Sequence, residues 1–321
     1  MRNVLLAVLM LFEVSPCFGA EAYPSKTVRV IVPFAPAGSS DIVARLISQQ
    51  LAEQFGKSFV VDNRTGAGGT IADAMVAKAA PDGYTLLLAD TTLSIVPGLY
   101  KSLPFDVAKD YSPITQIIGT PSVLVVHPSL KVNTLREFIA LAQANPGKLN
   151  YGSGGSGSTP HLFAELFKMV AKVNLVHIPY KGGAGEMIVG LLGGQVEMLM
   201  PPMPTVLPHV TNGKLRALAV TTDGKRSSLM PDVPSMGEAG VSGMTVYTWN
   251  GLVGPAGLPR EVINTLRAEV IKALAVPSVR ERFMSQGAEL IGSRPEEFSA
   301  HIRNELRRWT EVIRLVGIAP E

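Results

Sequence analysis

Apolar positions along the chain follow two periods that alternate. Residues 28–32 (VRVIV) form a β-branched run typical of a strand, and residues 41–55 place apolar side chains three and four positions apart, as a helix does. The unit recurs as a strand at 59–61, a glycine-rich turn and a helix at 71–80. A further strand at 84–89 is apolar throughout, which indicates a sheet with helices on both faces.

A second series of the same kind begins near residue 122. Its predicted strands and helices are 122–126, 134–144, 149–151, 160–170, 176–178, 186–192, 196–199 and 215–221. Beyond it, residues 246–253 indicate a long connecting strand, and two amphipathic helices are predicted at 259–274 and 295–316. Alternation over this length predicts a mostly parallel α/β architecture, in which ligands bind at the carboxyl ends of strands.

The first 22 residues have the three parts of a secretory signal peptide. Arg2 gives a basic start, residues 4–12 are an apolar run, and Ala20-Glu21-Ala22 fits a small-residue cleavage site. The apolar run is shorter than the roughly 20 residues that cross a bilayer. We therefore expect residues 1–22 to be removed and the exported, mature chain to begin at Tyr23. The alternative is a buried N-terminal strand or helix.

Cys17 is the single cysteine of the sequence and lies inside this leader. A mature chain without cysteine would have no disulfide, no catalytic thiol and no cysteine metal ligand. The alternative is that Cys17 carries a lipid anchor, although Pro16 before it suits such processing poorly.

Charge and length narrow the class of partner. The formal charge is +3, and losing Arg2, Glu13 and Glu21 with the leader makes it +4. Such a mild excess favours small anions only weakly, and no run of lysine or arginine forms a stripe for nucleic acid. About 300 remaining residues suffice for two domains of roughly 150 residues each.

Three loops between a predicted strand and a predicted helix combine glycine with hydroxyl side chains. We call residues 33–41 (PFAPAGSSD) the first loop, 63–70 (NRTGAGGT) the second loop and 152–161 (GSGGSGSTPH) the third loop. Glycine lets a ligand approach the backbone closely, and a helix start offers unpaired N–H groups at a positive dipole end. Any one loop is compatible with a plain capped turn. Three in one chain indicate a site that holds a carboxylate without lysine.

The third loop also matches the dinucleotide motif G-x-G-x-x-G through Gly152, Gly154 and Gly157. That motif needs an acidic residue at a strand end about 20 residues later. Residues 173–179 fill that stretch without a carboxylate, so the nucleotide interpretation is disfavoured.

The sequence carries none of the common hydrolase, zinc-protease or P-loop motifs. Its five histidines, at 127, 161, 177, 209 and 301, are scattered. His161 and Glu165 stand four apart, as two metal ligands on one helix face would, but a third ligand is not evident. We interpret His161 as a hydrogen-bonding or packing residue and expect neither a metal nor a cofactor.

Taken in order, the motifs resemble the Bug family, the periplasmic solute-binding receptors of tripartite tricarboxylate transporters. The resemblance covers Tyr23 to Glu321. The blocks that carry it are VRVIVPFAPAGSSD, NRTGAGG, AAPDGYTLL, LPFD, YGSGGSGSTPHL, PYKGGA, LLGGQV, LRALAVT, PDVPSMGEAG and GLVGPAGLP.

The resemblance implies an α/β, two-lobed periplasmic-binding-protein (Venus flytrap) fold with two crossover segments. Lobe one would be 23–121 plus 246–321, and lobe two 122–245. The ligand residues that it implies are Ala35, Ala37, Gly38 and Ser40 in the first loop, Ala67 and Gly68 in the second, Asp90 and Thr91 at a strand end, and Ser153, Ser156, Ser158 and Thr159 on lobe two.

Three further positions bear on specificity. The family usually has glycine where this chain has Ala37, and an aspartate where it has Pro201 followed by Pro202. The second departure removes an acceptor for a ligand amine or hydroxyl. Lys181 either faces the anion or is a solvated loop lysine.

The implied protein is a monomer that binds a small-molecule carboxylate and meets membrane transporter subunits, with no catalysis. Two alternatives stay open: a receptor that presents its ligand to a membrane sensor, and an α/β enzyme that acts on a carboxylate. The second would consume its ligand rather than merely bind it.

Overall fold

The computed structural model describes residues 23–180, 184–222 and 224–319. The predicted signal peptide at 1–22 with Cys17, and the candidate ligand residue Lys181, lie outside the described residues. Within the described ranges, no helix is both long and apolar enough to cross a membrane.

The described residues form ten α-helices, and every helix predicted from the sequence is among them. They are α1 (Ser39–Phe55), α2 (Thr70–Ala77), α3 (Thr91–Leu99), α4 (Leu135–Ala144), α5 (Thr159–Ala171), α6 (Ala184–Leu192), α7 (Met203–Thr211), α8 (Arg260–Ala275), α9 (Pro277–Met284) and α10 (Pro295–Val316). Helices α3, α7 and α9 are additional to the prediction.

Eleven strands lie in the same part of the chain, and β4 and β11 are additional to the prediction. They are β1 (Val28–Val32), β2 (Phe59–Asn63), β3 (Thr85–Asp90), β4 (Tyr111–Pro121), β5 (Val123–Val126), β6 (Asn150–Ser153), β7 (Val176–Pro179), β8 (Met198–Leu199), β9 (Arg216–Val220), β10 (Tyr247–Pro255) and β11 (Glu289–Leu290).

The strands form two sheets. The first has the order β11-β4-β10-β3-β1-β2 and the second the order β7-β6-β8-β5-β9. Strands β1, β2 and β3 pair in parallel, but β10 pairs antiparallel with both β3 and β4. In the second sheet β5 is antiparallel to β8 and β9. The expectation of a mostly parallel architecture is therefore wrong, because the chain leaves the first sheet on β4 and returns on β10 in the opposite direction.

The two crossings between the sheets lie side by side. Ser122 separates β4 from β5, and Val246 precedes β10. The Thr221 hydroxyl joins them, since it accepts from Ser122 N at 2.9 Å and donates to Val246 O at 2.6 Å. Thr221 and Ser122 are fully buried. One side chain, directly after β9, thus ties both crossings together.

Helix α1 shows how the sequence pattern becomes packing. Its apolar residues Val43, Ile47 and Leu51 are buried in one core with strand β1 and helix α8. Gly56 ends the helix in the left-handed conformation, φ +63°, which glycine adopts without strain.

Helix α10 packs against both halves of the molecule. It lies along α3, and its Trp309 ring stacks on Phe163 of α5, with centroids 5.2 Å apart. Ile95 of α3 joins the same core as Phe163 and Trp309. A buried aromatic pair adds about 0.5–1.5 kcal/mol beyond its area. The last long helix therefore joins elements of the first sheet to those of the second.

Candidate functional site

The first loop turns sharply into α1 through a positive backbone angle. Ala37 has φ +66°, a left-handed conformation, and its N–H donates to Asp41 Oδ2 at 2.9 Å. Gly38 is the residue before the helix, and neither serine caps α1. Ala35 and Ala37 are exposed, whereas Ser40 is buried. The loop therefore presents backbone, not side chains, to solvent.

Asp41 anchors the first loop to the second. Asn63 Nδ2 donates to Asp41 Oδ1 and to Phe34 O, each at 2.9 Å. Arg45 Nε donates to Asp41 Oδ2 at 2.8 Å. Burial opposes ionisation of Asp41, but the hydrogen bonds from Arg45, the Ala37 N–H and Asn63 outweigh it and lower its pKa. Asp41 is therefore a stable carboxylate that holds the loop.

Asp90 ends β3 and caps α3. Its Oδ1 accepts from Thr92 N at 2.9 Å and from Thr92 Oγ1 at 2.5 Å, and its Oδ2 accepts from Ser40 Oγ at 3.0 Å. Asn250 Nδ2 in turn donates to Ser40 Oγ at 3.1 Å. Burial raises the pKa of Asp90 against the effect of these bonds. Through these bonds Asp90 joins β3 to α3 and to α1.

Asp73, in the first turn of α2, is a second buried carboxyl near Asp90. Its side chain is 1% exposed, and its Oδ2 has no hydrogen-bond partner among the described residues. Burial, and then the negative charge of Asp90, raise the pKa of Asp73 well above its usual value. Burial and the mutual repulsion of their charges therefore disfavour simultaneous ionisation of Asp73 and Asp90.

The second loop lies against the first loop and against the end of α3. Ala67 and Gly68 have φ +46° and +64° in a 3-10 turn, and both are exposed. A Cβ on Gly68 would come within 3.4 Å of Tyr100 Oη, and one on Gly69 within 3.1 Å of Pro33 Cβ. Glycine therefore allows the close approach of two site loops.

Thr91 begins α3 but does not offer its hydroxyl to solvent. Its Oγ1 accepts from Trp249 N of β10 at 2.8 Å, and the residue is buried. Thr91 thus fixes the start of α3 against the return strand.

The third loop is held by its own hydroxyls. Ser153 Oγ lies 2.6 Å from His177 Nε2 and 3.1 Å from both Gly155 N and Gly155 O. Ser158 Oγ donates to Gly155 O at 2.7 Å. Ser156 is exposed, and Thr159, the first residue of α5, is half-buried. Ser153 and Ser158 therefore shape the loop, while Ser156 is exposed to solvent and Thr159 is partly exposed.

Helix α3 brings the third loop to the others. A Cβ on Gly157 would come within 2.6 Å of Leu99 Cδ1. Helix α3 therefore runs from Asp90, beside the first and second loops, to the third loop at its far end. The starts of α1, α2 and α5 are therefore gathered around α3, a helix that the sequence pattern does not predict.

A stack of three rings supports the third loop from behind. His161 and His177 lie face to face with ring centroids 3.9 Å apart, and the Tyr151 ring follows at 5.0 Å from His177. Tyr151 Oη donates to Glu165, which also accepts from Lys168 Nζ at 2.7 Å. Burial and the neighbouring His177 lower the pKa of His161 to about 4.

Pro201 is buried just beyond β8, the middle strand of the second sheet, and its carbonyl accepts from Val123 N at 3.0 Å. Its ring supplies no acceptor side chain.

Sequence analysis missed the residues that hold these loops, namely Asp41, Asn63, Tyr100, His177 and Asn250. Two signals were available. Asp41 stands in the first helical turn, where acidic residues favour the dipole. Parallel pairing of β6 with β7 places His177 beside Tyr151.

The arrangement is suited to binding an anion. Each helix start leaves N–H groups without intrahelical partners, and the dipoles favour negative charge there. The polar side chains between them are hydrogen-bonded to the loops and keep these donors in place.

Comparison with known proteins gives one family. Residues 43–318 match the model described as tripartite tricarboxylate transporter family receptor. The protein BugT of Bordetella pertussis is 37% identical over 319 residues, which cover 98% of this chain and 97% of BugT.

Solved structures match over nearly the whole chain. An R. palustris protein solved with adipate is 36% identical, with a TM-score of 0.79 over 93% of this chain and 100% of that one. The periplasmic binding protein BugD is 33% identical, with a TM-score of 0.76 over 93% of this chain and 100% of BugD.

Proposed function

Because the chain belongs to the tripartite tricarboxylate transporter family of receptors, we propose that it captures a small di- or tricarboxylate between two lobes and delivers it to membrane transporter subunits. The family assignment confirms the resemblance to the Bug proteins. The two-lobed α/β fold of periplasmic binding proteins is likewise confirmed. The chain is a solute-binding receptor for a carboxylate.

The observation that carries the ligand class is the gathering of three helix starts, those of α1, α2 and α5, around α3. Backbone N–H groups at such starts bind charge without needing lysine or arginine. A dicarboxylate has one group for the lobe-one loops and one for the third loop. The adipate that accompanies the R. palustris protein is a ligand of this kind.

The proposed lobes are 23–121 with 246–321, and 122–245. Sheet membership supports them, since the first sheet takes its strands from 28–121 and 247–290 and the second from 123–220. We further propose that residues 1–22 direct export and that the mature monomer works in the periplasm, where relatives such as BugD are found.

The proposed contacts fall into two groups. Ala35, Ala37, Gly38, Ala67 and Gly68 offer backbone from lobe one. Ser156 and Thr159 reach the ligand from lobe two, whereas Ser40, Asp90, Thr91, Ser153 and Ser158 hold the loops through the bonds described above. Contacts from Lys181 and Pro201 stay predictions.

A ligand panel tests the function. Adipate, succinate and citrate are compared with their neutral diamides or methyl esters in thermal unfolding. A ligand at 100 times its dissociation constant adds about 2.7 kcal/mol. For a chain of this size that raises the melting temperature by roughly 5–10 °C. Equal stabilisation by acids and neutral analogues would contradict an anion site.

The same samples test the proposal that the protein performs no catalysis. Mass spectrometry after incubation should recover the stabilising acid unchanged. Conversion of that acid would favour the enzyme alternative instead.

A charge placed in the third loop tests the site. Ser156→Asp should weaken binding of the best panel acid at least tenfold, because a carboxylate would face the ligand's own. Asn304→Asp on the exposed face of α10 adds the same charge elsewhere and should change affinity less than twofold. Calorimetry measures both, and equal losses would move the site away from the third loop.

A further inference from the structure

Two histidines on different elements hold opposite ends of the third loop. His177 on β7 contacts Ser153 Oγ, at the start of the loop, through Nε2 at 2.6 Å. His161, which belongs to α5 in the structure, accepts the Gly157 N–H, two residues before α5 begins, through Nδ1 at 3.0 Å. The two rings lie face to face, 3.9 Å apart and 14° from parallel. The loop is therefore pinned at both ends to one stacked pair.

The hydrogen bond from Gly157 dictates the protonation state of His161. Nδ1 can accept only while it carries no proton, so the neutral ring bears its proton on Nε2. A second proton on the ring would sit on Nδ1, so that two N–H donors would face each other and the hydrogen bond from Gly157 would be lost. A positive ring would also lie directly on the face of His177, which is itself half-buried.

The groups around the pair do not favour a cation. Tyr151 stacks on His177, and Lys168 brings a positive charge. Glu165 lies 4.0 Å from His161 Nε2, but it already accepts from Tyr151 and Lys168. Burial accordingly lowers the pKa of both imidazoles, that of His161 to about 4.

We propose that His161 and His177 are positioning residues, a neutral stacked clamp that keeps the third loop in its anion-binding shape. This inference rests on the proposed function, because the loop forms the lobe-two side of the ligand site. Neither ring touches the ligand; His161 acts through Gly157, and His177 acts through Ser153.

Two substitutions at His161 separate positioning from bulk packing. The Oδ1 of asparagine lies close to where Nδ1 stands, so His161→Asn keeps an acceptor for Gly157, whereas His161→Leu keeps the volume and removes the acceptor. With adipate as the probe, His161→Leu should weaken binding at least tenfold and His161→Asn no more than threefold. Equal losses in the two folded variants would overturn the proposal, as would no loss in either.

A measurement without ligand covers the case in which His161→Leu does not fold. Nitrogen NMR of the wild-type imidazoles should show His161 with its proton on Nε2 from pH 8 to pH 5, and the Gly157 amide should stay protected throughout. A His161 titration near pH 6.5, or a proton on Nδ1, would overturn the clamp.

The binding and NMR experiments also distinguish failure of the clamp from failure of the proposed function. If no carboxylate binds but His161 and Gly157 behave as stated, the function fails and the clamp stands. If adipate binds equally well to wild type and His161→Leu, the function stands and the clamp fails.

Discussion

At Ala37 a single methyl group sits where the backbone is left-handed. An L-residue with φ near +66° is strained by roughly 1–2 kcal/mol, and glycine is not. This explains in physical terms why glycine suits this position of the first loop. The strain is tolerated because the Ala37 N–H is held by Asp41, which Asn63 and Arg45 hold in turn.

Replacing Ala37 by glycine should therefore stabilise the protein, by up to about 1 kcal/mol after the greater freedom of glycine in the unfolded chain is subtracted. Ala35→Gly, in the same loop but without positive φ, should destabilise by a similar amount. Urea unfolding of the two variants gives the signs. The same sign for both would mean that strain at Ala37 is not what matters.

The buried Asp73 should make the stability of the fold depend on pH. Its pKa is raised in the folded protein, so the folded state binds the proton more readily than the unfolded state, whose pKa is about 3.9. The free energy of unfolding therefore decreases as pH rises above about 4, because ionising Asp73 costs more in the folded state than in the unfolded state. Asp73→Asn should be more stable than wild type at pH 8, by on the order of 1 kcal/mol, because the neutral amide avoids the cost of a buried carboxylate. The difference should shrink toward pH 4.

The matched control is Asp106, an exposed carboxyl whose pKa is lowered by its hydrogen bond with Lys109. Asp106→Asn should be neutral or slightly destabilising at pH 8. Chemical unfolding from pH 4 to pH 8 compares the variants. A pH-independent difference in stability between wild type and Asp73→Asn would show that burial does not raise the pKa of Asp73.

At this scale the sequence predicts which loops form the site but not what holds them. The glycine and hydroxyl residues reveal the three loops, because a tight turn or a helix start requires particular residue types at its own positions. The partners Asp90 and Ser40, or His177 and Ser153, are 50 and 24 residues apart. Only sheet pairing brings such residues together, so no local pattern reports them.

Among the elements, α3 and β4 were absent from the prediction for identifiable reasons. Helix α3 contains Pro97 and Gly98, both weak helix formers, and it is apolar on most sides because α10 and the third loop cover it. Strand β4 carries Pro113 and a buried polar pair, Thr115 and Gln116, which break alternation. Burial against other elements overrides local propensity in both.

Gly98 permits the close approach of α3 and α10. A Cβ at this position would come within 2.6 Å of Ile313 Cδ1. Gly98→Ala should therefore cost about 1–3 kcal/mol through overpacking, in spite of the better helix propensity of alanine. Ile313→Val removes the clashing methyl group.

The double variant tests that contact directly. In the Ile313→Val background, Gly98→Ala should cost much less or become stabilising by up to about 1 kcal/mol. Thermal unfolding of the four proteins gives the coupling free energy. Additive effects would mean that Gly98 is not the point at which the two helices meet.

For the whole molecule, two crossings tied by Thr221 form a natural hinge. Trp249 lies just beyond the return crossing, buried between Phe298 and His301 and hydrogen-bonded to Thr91 at the start of α3. Closure of the lobes on a ligand should therefore change the surroundings of this ring.

The protein has two tryptophans, so emission is assigned to Trp249 in a Trp309→Phe background. Titration with the best panel acid should shift this emission, and X-ray scattering should show a smaller radius of gyration. The neutral diamide should change neither. Saturating acid without either signal would indicate a preformed, rigid pocket.

At this scale the sequence predicts two α/β units but misjudges the direction of their strands. Alternating strands and helices usually build parallel sheets. Here β10 comes back from the other lobe and inserts between β3 and β4, antiparallel to both. A long-range return of this kind leaves no trace in local periodicity.

The central place of β10 has a consequence for the order in which the chain can fold. During synthesis, β3 and β4 emerge first, and the strand that joins them follows only after the entire second sheet. Until then, two interior strands present open edges, which other chains can pair with. The nascent chain is therefore prone to aggregate during most of its synthesis, until β10 emerges and pairs with both strands. The export proposed above fits this order of folding. If the chain crosses the membrane unfolded, β10 reaches the far side before the first sheet has to form.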